Sequence, residues 1–106
     1  MAHADEKEFN TKILKCIDKV LSTFGDSPRL LLYYLLVKEC FIPKDQFPSK
    51  PKELASCLTN ILGETGYRLI ETLTIREIQT EFNISVPEGS TLSDAVDQAR
   101  NRFLTC

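Results

Sequence analysis

The fold turns on one stretch: Ser27-Pro28-Arg29-Leu30-Leu31-Leu32-Tyr33-Tyr34-Leu35-Leu36-Val37-Lys38-Glu39-Cys40-Phe41-Ile42-Pro43. Leu30 to Val37 is apolar all round, so periodicity does not separate a buried strand from a helix. The flanks decide. Ser27 can cap free N–H groups, and Pro28 suits the first turn, where a missing N–H costs nothing. Leucine dominates and β-branched residues are few, which favours helix. The run continues through Lys38-Glu39-Cys40-Phe41. Pro43 then pushes Ile42 out of the α region and ends the helix near Cys40. A helix this apolar is expected at the centre of a bundle.

Working outward, the neighbouring segments are helical too. From Asp5 to Phe24, the residues Phe9, Ile13, Cys16, Ile17, Val20, Leu21 and Phe24 form one broad stripe, and Gly25 stops the helix. Ile42 to Lys50 reads as a proline loop whose Phe47 dips back into the core. Pro51 opens a third helix and Gly63 closes it. Thr65 to Phe82 carries two apolar stripes, Leu69/Ile70/Leu73 and Ile75/Ile78/Phe82. Either that helix packs against two layers or it breaks near Thr72–Thr74, where β-branched residues weaken it. Thr91-Leu92-Ser93-Asp94 resembles a capping box opening a fifth helix. The expectation is an all-α, compact bundle of about five helices with an apolar central second helix. Residues 1–8 read as a flexible tail. Residues 9–106 read as one domain, with 9–86 as its core and 87–106 as a C-terminal helical extension.

Composition narrows the function classes. The 106 residues are 42% apolar and 26% charged, with Gly 4 and Pro 5, which excludes disorder, collagen and a disulfide-dense scaffold. A net charge of −2 argues against a dedicated binder of nucleic acid or acidic membrane. Met1 to Glu8 has no apolar secretory core, and the longest apolar run is too short to cross a hydrocarbon layer of ~30 Å. The expected location is cytoplasmic, where Cys16, Cys40, Cys57 and Cys106 remain thiols.

No catalytic constellation emerges. The only imidazole is His3, so neither a Cys2His2 zinc site nor a well-placed nucleophile–base pair can be assembled. No metal and no cofactor are expected. Gly63-Glu64-Thr65-Gly66 lacks the lysine of a phosphate loop, and Glu64 would repel an anion. First-turn acids such as Glu6 and Glu8 are explained by the helix dipole. The reading is therefore non-enzymatic: a regulatory protein-interaction domain, binding itself as a homodimer or another protein. Tyr33, Tyr34, Leu69 and Leu73 are its contact residues, because tyrosine buries its ring while its hydroxyl stays bonded. The alternative is a small DNA-binding regulator using Lys44, Lys50, Lys52, Arg68 and Arg76, with phosphate neutralisation as the driving term.

One further pattern runs through the chain: Leu21…Phe24-Gly25-Asp26-Ser27, Leu32-Tyr33-Tyr34-Leu35, Ile42-Pro43, Phe47-Pro48, Leu54…Leu58, Ile61-Leu62-Gly63-Glu64-Thr65-Gly66 and Phe82-Asn83-Ile84. In order and spacing, residues 13–86 resemble the archaeal Nitrosopumilus output domain family, fifth type, a group of small helical modules. The resemblance implies an archaeal cytoplasmic signal-output or interaction module. It carries no catalytic residues over to this chain.

Overall fold

The computed structural model describes residues 5–105. Helix α1 (Glu6–Ser22) starts where Asp5 accepts the Glu8 N–H at 2.8 Å. Glu6–Glu8 are helical, as the helix expected from Asp5 requires and unlike the tail read over residues 1–8, because this cap draws them into the first turn. The predicted stripe from Phe9 to Leu21 is buried. Phe24, the last member expected of that stripe, is exposed, because the helix ends two residues before it with Thr23 as its cap; Gly25 does not stop this helix but caps the start of the next.

Helix α2 (Asp26–Cys40) follows directly. Its cap is Gly25 at φ 107°, so Ser27 and Pro28 sit inside the first turn, where their N–H positions would be free anyway. A 3-10 turn (Lys44–Ser49) buries Phe47 and Pro48 as expected of the loop. Helix α3 (Pro51–Phe82) breaks at Gly63, whose φ of 81° and ψ of 167° only glycine adopts readily. Beyond that break the chain is one helix with no second break at Thr72–Thr74. Its buried line is Tyr67, Ile70, Thr74, Ile78 and Phe82. Helix α4 (Leu92–Thr105) opens with a reciprocal box: the Asp94 N–H donates to Thr91 Oγ1 at 3.1 Å, and the Thr91 N–H donates to Asp94 Oδ2 at 3.0 Å.

The all-α bundle is present as expected, but its centre is not α2. The core is built by α1, α3 and α4 around Phe9, Phe82 and Phe103, whose rings lie 5.4 to 6.0 Å apart. Helix α4 buries Leu92, Ala95, Val96 and Ala99 and so contributes to the core. Among the described residues, α2 fully buries only Leu32 and Leu36. Its apolar content exceeds what one line of contact on the bundle can cover.

The cysteines correct a second expectation. Cys16 is a buried thiol, but Cys40 and Cys57 are joined by a disulfide. The last turn of α2 brings Cys40 onto α3 with a Cα–Cα distance of 6.3 Å, inside the usual disulfide range. Their separation of 17 residues gave no motif. His3 and Cys106 lie outside the described residues.

Candidate interaction surface

Helix α2 is clamped to the bundle at both ends. Toward its start, the Tyr33 hydroxyl donates to Asp18 Oδ1 of α1 at 2.5 Å, and Arg29 Nη1 donates to the same oxygen at 3.1 Å. Lys44 of the 3-10 turn approaches Asp18 at 3.9 Å and lies 4.9 Å from the centre of the Tyr33 ring. The Tyr33 hydrogen bond, helped by the Lys44 and Arg29 charges, holds the Asp18 carboxyl below its ordinary range. Burial, then Asp18, pushes the Tyr33 phenol up. At the far end stands the Cys40–Cys57 disulfide, followed by Phe41 as a left-handed cap at φ 58°. The Phe41 N–H donates to the Val37 carbonyl, and the Ile42 N–H to that of Leu36.

Between the clamps, one face of α2 is bare. Leu30 is 57% exposed, Leu31 55%, Tyr34 57%, Val37 49% and Phe41 80%. Leu30, Tyr34 and Val37 follow at spacings of 4 and 3 along one side of the helix, and Phe41, four residues on, caps its end. Five large apolar residues exposed by half or nearly so form one patch, and the largest such patch on a typical monomer is roughly 300–600 Å² and often functional. Lys38 stands beside them, its Nζ 5.5 Å from the Tyr34 ring centre. Phe41 combines two costs, since an aromatic residue in the left-handed region is strained and its ring is left in water.

The predicted contact residues divide. Tyr34 and Leu69 are exposed, Leu69 on α3 at 51%. Tyr33 is half-buried and committed to Asp18, and Leu73 packs partly on the core. Leu30, Leu31, Val37 and Phe41 escaped the sequence reading because every position of that run is apolar. The signal that could have marked them was the 4-3-4 spacing that continues through Phe41.

The predicted DNA contacts do not gather. Lys44 lines a groove with Asp18, Lys19 and Glu77. Arg68 and Arg76 line a different, open groove of about 840 Å³ between α3 and the 83–91 connection. There Arg68 pairs with Glu64 at 2.9 Å. Lys50 precedes α3 and Lys52 is exposed in its first turn. The polar groups of the larger groove hold the fold: Glu71 accepts the Tyr67 hydroxyl at 2.9 Å and the Leu92 N–H at 3.0 Å, and Gln79 accepts the Val86 N–H at 2.7 Å. Burial pushes the Cys16 thiol up to about 12, so it stays protonated near neutrality. Among the described residues, no group of three or more His, Cys, Asp or Glu is placed to hold a metal ion. No helix there is long and apolar enough to cross a membrane.

No protein-family model matches the chain, and no match was found among curated proteins or among solved structures.

Proposed function

We propose that this chain is a non-catalytic regulatory or signal-output domain that acts by protein interaction through the bare face of α2. The observation that carries the reading is the stripe Leu30, Tyr34, Val37 and Phe41, with Leu31 beside it, on a helix clamped at both ends. A rigid helix presenting apolar and aromatic side chains is a preorganised surface, so little entropy is lost on docking. Tyrosine and phenylalanine supply large contact area, and a few such side chains dominate most interfaces. The resemblance to the archaeal output modules implies the same class of role and forms part of this proposal. So does a cytoplasmic home, with one condition: disulfides are rare in the cytosol of mesophiles and abundant in hyperthermophilic archaea.

A photo-crosslinking residue at position 34, compared with one at exposed Glu53, tests the reading in cells. Adducts to protein from position 34 alone are expected. Equal capture from both positions, or none from position 34, refutes it.

The DNA-binding alternative draws less support. Lys44 is engaged by Asp18, and Arg68 and Arg76 sit among Glu64, Glu71 and Glu88. A gel shift at low salt, where phosphate contacts are strongest, separates the two readings. Tight binding that survives Tyr34→Glu but not Lys44→Glu would favour DNA.

A further inference from the structure

Resting on the interaction reading, we infer that the partner of α2 is a second copy of this chain, docked antiparallel about a two-fold axis that passes between residues 35 and 36. The spacing 4-3-4 of Leu30, Tyr34, Val37 and Phe41 is the same in both directions. An antiparallel two-fold axis pairs residue i with j and j with i, and this spacing lets every exposed side chain of the stripe meet another. About that axis Leu30 faces Phe41 of the other copy, and Tyr34 faces its Val37. Each ring is set against an aliphatic side chain, so large meets small along the whole seam. A parallel pair would stack Tyr34 on Tyr34 and Val37 on Val37, bring Lys38 level with Lys38, and set the two helix dipoles side by side in the same direction. The antiparallel pair avoids all three.

The patch is of the right order: five residues exposed by half or nearly so make an apolar surface of roughly 300–600 Å², and a specific interface needs roughly 500–800 Å² from each partner. A chain charge of −2 opposes self-association only weakly. The two clamps leave the stripe outward, so no internal rearrangement has to precede docking.

Light scattering over a hundredfold dilution tests this on the full chain. The wild type is expected to pass reversibly from twice the monomer mass to the monomer mass. Tyr34→Glu and Val37→Lys, both at exposed positions, each weaken association about thirtyfold or more while keeping wild-type helicity by circular dichroism. Mixed together, the two variants regain the dimer, because the carboxylate introduced at position 34 of one copy faces the ammonium introduced at position 37 of the other. A wild type that stays monomeric at the highest concentration overturns the self-partner. So does a dimer indifferent to both variants. Loss of the dimer without recovery on mixing overturns the antiparallel register. If Tyr34→Glu misfolds, Phe41→Asn replaces it, and undiminished dimerisation of that variant counts against the seam. In each of these failures, crosslinking from position 34 to a different protein leaves the interaction reading standing, whereas its absence removes both.

Discussion

At the scale of single residues, Asp18 and Phe41 stand at the two ends by which α2 is held. Phe41 sits at φ 58° with its ring in solvent; the left-handed turn satisfies the Val37 and Leu36 carbonyls and buries Ile42, but the phenyl ring itself gains nothing in the monomer. Asparagine tolerates the left-handed region far better. Phe41→Asn is expected to stabilise the monomer by about 1 kcal/mol, raising Tm by roughly 4–8 °C in a thermal melt at low concentration. The same substitution weakens association.

Asp18 does the opposite job, gathering Tyr33, Arg29 and Lys44 onto one carboxylate. Its pKa is lowered in the folded chain, so its contribution is complete above the unfolded value and is lost as pH falls through the folded one. Urea titrations from pH 7 down past ~3.9 are expected to show the wild type losing more stability than Asp18→Asn. At neutral pH the variant is less stable by about 1 kcal/mol, a figure reduced for the partial exposure of the carboxylate. Equal acid sensitivity of the two proteins would show that Asp18 is not the clamp.

At the scale of elements, the disulfide supplements a helix that buries few side chains of its own. It closes a loop of about 17 residues, which in the chain-entropy treatment is worth about 3 kcal/mol. Cys57→Ser is therefore expected to cost about 2–4 kcal/mol in denaturant unfolding, with hydrogen exchange accelerated most at the end of α2. Alkylation of the unreduced, unfolded protein leaves Cys40 and Cys57 unlabelled; labelling of both would remove the bond. The stop at Gly63 and the box at Thr91–Asp94 are more local devices. Both were legible because glycine geometry and capping hydrogen bonds depend on near neighbours in sequence.

At the scale of the whole molecule, the cluster of Phe9, Phe82 and Phe103 fastens α1, α3 and α4 into one core. Phe9 is fully buried, and Arg100 lies over its ring at 4.8 Å. Arg100 also pairs with Glu6, tying α4 to the start of α1. Phe9→Ala is expected to cost about 3–5 kcal/mol in urea unfolding, a large share of the stability of a domain this size. An effect below about 1 kcal/mol would mean that the three helices are held elsewhere. Helix α2 contributes less to this core, which is why its surface substitutions can be read as tests of binding.

The helices themselves, the break at Gly63, the end of α2 before Pro43, and the core lines of α1 and α4 were determined by the order of residues. Each of these features follows from interactions within a few positions of the chain. The periphery of α2, the Cys40–Cys57 bond and the Asp18 clasp were decided only by tertiary structure. A run that is apolar on every side has no preferred face until its neighbours choose one. Here α1 and α3 cover Leu32 and Leu36, and the opposite side, from Leu30 to Phe41, is left as the surface on which the proposed function rests.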